Sequence, residues 1–491
     1  MITVLLNIEG FEYDIHSLVK AFYPESEVKV FTEGKKEVNS DPGLPVIQLI
    51  RSSEKIELLL SVFPEEVPLI AEEAGLENVD DKSQVRNSIK QLIYRVLSKY
   101  TGKTLPWGTL TGIRPTKIAM GFLEKGLSET EILRYMKNTY YLNEEKGRLG
   151  IDIAKRERRL LSAFHCEEGY SLYIGIPFCP TTCLYCSFTS FPISVWKERV
   201  SDYLTALEQE MEQTAVMFQD RILDSVYVGG GTPTTLGPQE LERLLYKIRI
   251  IFPFAHVKEF TVEAGRADSI TVEKLLLLKK YGVTRISINP QTMQQETLRL
   301  IGRQHTVAQV GEAFAMAREC GFDNINMDLI LGLPGEGERE VRATAEAVKA
   351  LRPDSLTVHS LAVKRASRLN QWIQENGLEM LQNTDAMMKI AVDAARDMDM
   401  KPYYLYRQKN MSGNFENVGY AREGCFGLYN ILIMEEKQTI AALGAGSISK
   451  RVYADGRIER CDNVKDVAQY IERINEMIGR KRQLFTHEKQ A

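Results

Sequence analysis

Residues 171–361 alternate short apolar runs with amphipathic helical stretches, and this pattern limits the fold more than any other feature of the chain. The apolar runs are rich in β-branched residues, which is typical of parallel strands covered by helices. Six such strand–helix units predict an α/β fold built on a barrel-like sheet, with functional residues at the C-terminal ends of the strands. The predicted strands are Leu172–Ile176, Val226–Val228, Phe260–Val262, Arg285–Ile288, Ile325–Leu331 and Leu356–Val358.

Three cysteines follow the first of these strands with the spacing CxxxCxxC: Cys179, Cys183 and Cys186. Three thiolates at this spacing can each bind one iron of a 4Fe-4S cluster, and the fourth iron then has no protein ligand. The next cysteine, Cys320, is far along the chain, so an electron-transfer ferredoxin site is not indicated. The alternatives are a zinc site, which needs four ligands, or three unconnected buried thiols.

Polar residues and glycines mark the ends of the following strands. Gly229–Thr234 (GGGTPT) follows the second strand, and glycines there let the backbone approach a ligand closely. Glu263 ends the third strand, Gln291 follows the fourth, and Arg303 lies in LIGRQHT. Asp328 is inside the apolar fifth strand, where an unpaired carboxylate is costly, so it is a candidate to accept hydrogen bonds from a ligand. A structural hydrogen bond or ion pair is the alternative for each residue taken singly.

The cysteine loop, preceded by Tyr173 and by Pro177-Phe178, resembles the cluster loop of the radical S-adenosylmethionine (SAM) superfamily. Residues 171–361, and more loosely the chain to about 450, resemble the oxygen-independent coproporphyrinogen III oxidase group of that superfamily. The segments LPWGTLTGIRPTK, HSLAVKRAS and YYLYRQKN are similar to its HemZ-type branch. The resemblance implies a radical SAM partial (β/α)6 barrel with an N-terminal α/β extension and a C-terminal α+β domain.

The same resemblance implies two cofactors, a 4Fe-4S cluster and SAM, whose amino and carboxylate groups would bind the open iron. It also implies a role for each matching residue, with Tyr173, Glu263 and Asp328 as the catalytic set. Tyr173 and Tyr185 would flank the cluster and SAM; Gly230, Gly231 and Thr232 would contact SAM; Glu263 and Arg303 would hold its methionine portion; and Gln291 and Asp328 would hold the ribose or nearby groups.

The reaction implied by the resemblance belongs to anaerobic haem biosynthesis. A 5′-deoxyadenosyl radical takes a hydrogen from a propionate of coproporphyrinogen III, and loss of CO2 and one electron leaves a vinyl group. Two rounds give protoporphyrinogen IX, with an electron donor such as flavodoxin or ferredoxin and an external electron acceptor. A tetracarboxylate substrate needs cationic groups, and the candidates are Arg114, Lys117, His359, Lys364, Arg365, Arg368, Arg407 and Lys409.

Two other functions remain open from the sequence. One is a haem-binding chaperone, the role of another branch of the group, which carries a His-Asn followed by aromatic residues in its C-terminal region. The nearest stretch here, GCFGLYN, has no histidine, although His305 and His359 are possible axial ligands. The other is a radical SAM enzyme that opens or methylates haem or another tetrapyrrole.

Composition indicates the class of partner and the compartment. The 491 residues include 62 basic and 66 acidic residues, a formal net charge of -4, so neither nucleic acid nor an anionic membrane is indicated as the main partner. The chain has no long apolar run and its first residues lack signal-peptide features, which predicts a cytoplasmic protein. We expect the other four cysteines, Cys166, Cys320, Cys425 and Cys461, to be plain thiols.

We expect four segments: a small α/β module over 1–100, a linker loop with helices over 101–165, the radical SAM core over 166–365 and a substrate-covering domain over 366–491. In the first, VIQLIRSSEKIELLLSVF predicts a hairpin that turns near Ser52–Glu54. Residues 87–100 have apolar spacing that predicts a helix capped by Asn87 or Ser88. Helices are also predicted at about 384–398 and 464–480. The first 165 residues have no role that the sequence reveals.

Overall fold

The computed structural model describes residues 1–32, 40–65, 67–76, 78, 80–112, 114–363, 367–377, 380–408 and 415–486. The chain forms two compact units. Unit 1 contains Met1–Lys155 and Arg407–Glu416, and unit 2 contains Arg156–Tyr406 and Asn417–Ala491. None of the described helices is both long enough and apolar enough to span a bilayer.

Unit 1 has a five-stranded mixed sheet with the order β2-β1-β3-β4-β5. β1 pairs in parallel with β2 and β3, while β3–β4 and β4–β5 are antiparallel. The predicted hairpin is confirmed as β3 and β4. A core of aliphatic side chains from β1, β3, β4 and the first two helices is fully buried. The strands are β1 (Ile2–Leu6), β2 (Val28–Thr32), β3 (Pro45–Arg51), β4 (Lys55–Val62) and β5 (Ile70–Gly75).

The helices of unit 1 include one whose start was predicted wrongly. Asp81, not Asn87 or Ser88, caps α2, because its carboxylate accepts hydrogen bonds from the amides of Ser83 and Gln84. The helix ends at Gly102, whose left-handed backbone (φ 69°) closes the last turn. The helices that begin in this unit are α1 (Glu12–Phe22), α2 (Lys82–Thr101), α3 (Thr116–Glu124), α4 (Glu129–Tyr140) and α5 (Glu144–Leu161).

The segment Arg407–Glu416 belongs to unit 1 through buried polar contacts. The carboxylate of Glu416, 1% exposed, accepts hydrogen bonds from Trp107 Nε1 at 2.7 Å and from Lys146 Nζ at 2.6 Å. Trp107 is fully buried, and the Arg407 guanidinium lies 5.9 Å from the centre of its ring. Two distant parts of the sequence therefore share one buried polar cluster.

Unit 2 is built on an eleven-stranded sheet with the order β14-β15-β13-β12-β11-β10-β9-β6-β16-β17-β18. The six predicted strands are confirmed as β6 and β9–β13, which pair in parallel. Nearly all of their residues are buried, as expected for strands covered on both faces. These strands are β6 (Gly169–Ile176), β9 (Ile222–Gly230), β10 (Glu259–Glu263), β11 (Arg285–Ser287), β12 (Ile325–Leu331) and β13 (Ser355–Ser360); β7 (Phe178–Cys179) and β8 (Phe191–Pro192) form a separate small sheet.

Helices connect the parallel strands and bury their apolar faces on the sheet. Thr271 and Thr306 cap α9 and α11 with their hydroxyl groups, and Pro238 begins α8. This strand–helix alternation brings the C-terminal ends of all six strands to one edge. The helices are α6 (Ile193–Trp196), α7 (Val200–Met217), α8 (Pro238–Ile251), α9 (Val272–Lys280), α10 (Gln295–Leu300), α11 (Val307–Glu319) and α12 (Glu338–Leu351).

The C-terminal part of the chain extends the same sheet at both edges. β15 pairs antiparallel with β13 and β14, whereas β16 pairs in parallel with β6. The helix predicted at about 464–480 is two helices, because the backbone turns at Arg473. The elements are α13 (Leu369–Asn376), α14 (Asp385–Asp397), β14 (Lys401–Tyr406), β15 (Asn417–Ala421), α15 (Leu428–Glu435), β16 (Thr439–Leu443), β17 (Ile448–Val452), β18 (Ile458–Asp462), α16 (Val467–Glu472) and α17 (Ile474–Thr486).

Candidate active site

The cysteine loop follows β6 at the C-terminal edge of the parallel strands. Cys179, Cys183 and Cys186 are free, half-buried thiols. The Thr232 hydroxyl lies 3.5 Å from Cys179 Sγ, and the Ser190 hydroxyl lies 3.6 Å from Cys186 Sγ. Each of these two sulfur atoms therefore has a polar neighbour that can donate a hydrogen bond to a thiolate.

The arrangement of the thiols matters for the kind of metal centre. Over the described ranges, no three His, Cys, Asp or Glu side chains converge so as to hold a single metal ion. A zinc ion needs such convergence, with sulfur atoms about 2.3 Å from one centre. A 4Fe-4S cluster does not, because each thiolate binds a different iron.

The glycine-rich segment after β9 packs directly on the cysteine loop. The amides of Gly231 and Thr232 donate hydrogen bonds to the carbonyls of Ile176 and Phe178 at 2.8 and 2.7 Å. A Cβ atom on Gly231 would lie 2.5 Å from the Phe178 carbonyl oxygen, and Gly230 has a left-handed backbone with φ 106°. Only glycine fits at these two positions.

Glu263, at the end of β10, is half-buried beside this segment. Its Oε1 accepts a hydrogen bond from the Tyr227 hydroxyl at 2.5 Å, and the Gly230 backbone also bonds to the carboxyl group. Burial raises the pKa of Glu263 to about 7, with a further contribution from the nearby Asp328 carboxylate. A positively charged ligand beside it would stabilise the ionised form of this carboxyl group.

Three tyrosine rings stack beside Glu263. The ring centre of Tyr227 lies 4.6 Å from that of Tyr429 and 6.1 Å from that of Tyr173. The strand register explains the last pair, because Tyr173 and Tyr227 are partners across β6 and β9. The hydroxyl of Tyr173 is close to Gly230, 3.2 Å from where a Cβ atom would be.

Asp328 belongs to a series of polar side-chain contacts that runs from β12 to β13 and β14. Asn326 Nδ2 donates to Asp328 Oδ1 at 2.7 Å, and His359 Nε2 lies 3.7 Å from Asp328 Oδ2. The other ring nitrogen of His359 is 3.4 Å from the Tyr406 hydroxyl. Burial opposes the charged form of Asp328, but the interactions with His359, Asn326 and Thr357 outweigh it and hold its pKa below the usual value.

Gln291 has two features that cost free energy. Its backbone is left-handed (φ 69°), and among the described residues its buried Oε1 has no hydrogen-bond partner. Its backbone is fixed by bonds to β12, including Gln291 N to Asp328 O at 2.9 Å. Arg303, also buried, donates to the Asn289 carbonyl and interacts with the side chains of Cys183 and Tyr185.

Comparison with known proteins identifies this arrangement. A model of the radical SAM superfamily matches residues 173–348. The chain is 42% identical over 403 residues to the oxygen-independent coproporphyrinogen-III oxidase-like protein HemZ of Bacillus subtilis, covering 81% of this chain and 80% of HemZ. The chain belongs to the radical SAM oxygen-independent coproporphyrinogen III oxidase-like family.

Other members of this family resemble shorter parts of the chain. The heme chaperone HemW of Bacillus subtilis is 37% identical over 211 residues, which cover 43% of this chain and 55% of HemW. Oxygen-independent coproporphyrinogen III oxidase of Salmonella typhimurium is 33% identical over 196 residues, 40% of this chain and 42% of that enzyme. The solved structure of HemN, the Escherichia coli oxidase, matches with a TM-score of 0.52 at 23% identity and covers 65% of this chain and 72% of that one, which confirms the fold.

Membership of the radical SAM family implies a 4Fe-4S cluster and SAM as cofactors, and the residues present fit both. Three free thiols with CxxxCxxC spacing on one loop suit a cluster with one open iron. Near them, the orphaned acceptor of Gln291 and the carboxyl group of Glu263 suit a ligand that carries hydroxyl and amino donors.

The structure brings most of the predicted cofactor residues to one edge of the sheet, but it groups the predicted substrate residues less closely. His359 lies beside Asp328, and Arg368 donates to the Thr182 carbonyl in the cysteine loop. Lys364, Arg365 and Lys409 lie outside the described residues. Arg114, Lys117 and Arg407 belong to unit 1.

Sequence reasoning missed four residues that complete this edge of the sheet. Tyr227 has a recognisable signal, since it precedes Gly229 by two positions and strand alternation puts both on one face. Tyr406 and Tyr429 lie in the domain that the sequence predicts to cover the substrate, but no local pattern shows which of its tyrosines meet His359 and Tyr227. Arg266 follows Glu263 in a loop and reaches Cys183 through tertiary contacts alone.

Proposed function

We propose that this protein is a radical SAM oxidoreductase that decarboxylates propionate side chains of coproporphyrinogen III to vinyl groups and so forms protoporphyrinogen IX. The observation that carries the proposal is the meeting of four groups at one edge of the sheet. These are the cysteine loop, the Gly230–Thr232 segment, Glu263 and the Asp328–His359 pair. The identity to the oxidase-like HemZ supports the choice of substrate.

In this proposal Cys179, Cys183 and Cys186 hold the cluster. When bound, the cluster and SAM supply a 5′-deoxyadenosyl radical that removes one hydrogen atom from the substrate. The residues that would surround SAM lie in or just after five strands, so rigid elements would fix its position. They are Tyr173, Tyr185, Gly230, Gly231, Thr232, Glu263, Gln291, Arg303 and Asp328.

The chain's own groups then have distinct tasks. Glu263, half-buried and held by Tyr227, attracts the amino group of the methionine portion. Asp328, kept ionised by its neighbours, accepts hydrogen bonds from hydroxyl groups of the ligand. The ring of Tyr173 stacks on Tyr227 and its hydroxyl lies close to Gly230, so in this proposal it would shield the SAM site from water.

His359 is the described residue best placed to meet the substrate. Its side chain is 26% exposed, and Asp328 and Tyr406 flank its two ring nitrogens. Arg114, Lys364 and Arg365 stay in the proposal as further carboxylate ligands.

The proposed reaction also needs partners for its electrons. We assign the reduction of the cluster to a small one-electron carrier such as flavodoxin or ferredoxin. The electron released with CO2 passes to an external acceptor. The formal net charge of -4 agrees with an enzyme that acts on a small molecule.

The decisive experiment is an anaerobic assay with coproporphyrinogen III, SAM and a chemical reductant. Mass spectrometry should detect 5′-deoxyadenosine together with vinyl-bearing products. The variant with Cys179, Cys183 and Cys186 replaced by Ala should lose both products and the iron–sulfur absorbance, whereas C320A should keep them. A triple variant with a full cluster would rule out the proposed ligands.

A second candidate, haem binding without the oxidase reaction, is favoured by the 37% identity to the chaperone HemW. Against it, His305 is fully buried and His359 is flanked by Asp328 and Tyr406, so neither is a freely presented axial ligand. Tight haem binding with no 5′-deoxyadenosine would favour the chaperone. Deoxyadenosine without vinyl products would direct the search to another tetrapyrrole.

A further inference from the structure

Arg266 connects the loop after β10 to the cysteine loop. It is 2% exposed and lies three positions after Glu263. Its Nη1 donates to the Thr181 hydroxyl at 3.1 Å and lies 3.9 Å from Cys183 Sγ. A buried guanidinium therefore faces one of the three thiols that would hold the cluster.

The opposite side of this guanidinium is fixed by a carboxylate. Arg266 Nε and Nη2 donate to the two carboxylate oxygens of Asp268 at 3.1 and 2.8 Å. This two-point contact sets the plane of the guanidinium, and Nη1 remains for the cysteine loop. His305, whose side chain is fully buried, closes the far side of Asp268, with Nδ1 3.7 Å from Oδ1.

We propose that Arg266 is a positioning residue that brings a fixed positive charge to Cys183 and thereby makes the cluster easier to reduce. Asp268 orients Arg266 and lies behind it, so the pair presents its positive end to the sulfur. The inference rests on the proposed cluster site at Cys179, Cys183 and Cys186.

The sign of the effect follows from the charge that the cluster gains. Reduction adds one negative charge, and a nearby cation stabilises it, more strongly in a buried site than in water. Cluster potentials depend on local charge and on hydrogen bonds to the sulfur atoms. Removal of the cation should thus lower the potential, whereas removal of the Asp268 charge behind it should raise the potential.

The test uses the full chain, reconstituted anaerobically with iron and sulfide. Iron content reports cluster retention, and a redox titration followed by electron paramagnetic resonance gives the midpoint potential. We expect R266Q to shift the reduction equilibrium against the reduced cluster by about tenfold, which is about 59 mV for one electron. R266K should shift it less, and D268N should shift it in the opposite direction.

Arg303 also interacts with Cys183, so R266Q leaves one guanidinium in place and should retain a cluster. The matched control is R318Q, which removes an ion-paired arginine that bonds to Asp354 next to the N-terminal end of β13. It should leave the potential unchanged.

The outcomes separate this inference from the proposed function. Shifts of opposite sign in R266Q and D268N support it, and shifts of one sign or no shift overturn it. If R266Q loses its cluster, the test is made with R266K and D268N. Shifts of their midpoint potentials in opposite directions then support the inference, and shifts in one direction or no shift overturn it. A wild-type chain that assembles no cluster would overturn the proposed cofactor site and this inference with it.

Discussion

At the scale of single residues, Glu263 should make SAM binding depend on pH. Its pKa is raised to about 7 by burial, so the carboxylate is present above that pH and is lost as the pH falls through it. Because SAM has titrating groups of its own, the useful quantity is the ratio of the Kd of E263Q to the wild-type Kd. With a pKa of about 7, the ionised fraction of Glu263 falls from about one half at pH 7 to about one eleventh at pH 6, so we expect this ratio to fall about fivefold.

Isothermal titration calorimetry of the two reconstituted proteins at pH 6, 7 and 8 would measure both constants. D41N is a suitable control, since that carboxylate is exposed in unit 1. If the ratio of the two Kd values is the same at pH 6, 7 and 8, Glu263 is not part of the binding site.

Gly231 should tolerate no side chain because the cysteine loop occupies the space. The Cβ atom of G231A would meet the backbone oxygens of Phe178 and Ile176 at 2.5 and 2.9 Å. Overpacking of this kind costs about 1–3 kcal/mol. We expect a lower melting temperature and a lower iron content per chain. G311A is the matched control, because Gly311 is in α11 with open space around it, and it should lose neither property.

At the scale of elements, a buried ion pair joins α7 to the last helix. Lys481 Nζ lies 2.5 Å from Glu210 Oε1, and both side chains are almost fully buried. Tyr470, Asn463 and the Gly444 amide also donate to Glu210, which fixes the turn after β16. Removal of one partner leaves a buried charge unpaired, so we expect K481M to destabilise unit 2 by about 3–5 kcal/mol.

Chemical denaturation followed by circular dichroism would measure this loss. The double variant E210Q/K481M should recover a large part of it, because both charges are then gone. K280M removes an exposed pair with Glu242 and should change the stability by less than about 1 kcal/mol. Equal losses in K481M and K280M would contradict the role of burial.

The sequence predicted the elements of the core better than their ends. The six parallel strands follow from apolar runs, and three cysteines with fixed spacing mark the loop that we propose holds the cluster. The start of α2 was missed because its first turn, Lys82–Gln84, is polar and exposed, so apolar spacing does not extend over it. Arg266 and Tyr429 could not be predicted, since each acquires its neighbours only when distant strands and helices pack together.

At the scale of the whole molecule, unit 1 depends on a segment that is distant in sequence. E416Q keeps the shape of the side chain but removes the charge that pairs with buried Lys146. We expect unit 1 to lose on the order of 3 kcal/mol. Hydrogen exchange should then speed up in α2 and in the first turns of α5, with little change in β9, β10 and β12.

E73Q is the control for this change, because Glu73 and Lys55 form an exposed pair in the same unit. It should leave exchange in α2 unchanged. Faster exchange spread evenly over both units in E416Q would show that the contacts of Glu416 do not act locally.

The assignment of Arg407–Glu416 to unit 1 has a consequence for evolution and for protein engineering. The chain leaves unit 2 after β14 and re-enters it at β15, so the connection between two neighbouring strands supplies Arg407 and Glu416 to the buried polar cluster of unit 1. The N-terminal extension is therefore not a cassette that a single recombination point can exchange. A chimera that takes residues 1–155 from a homologue must also inherit that homologue's version of 407–416, and the two stretches should co-evolve.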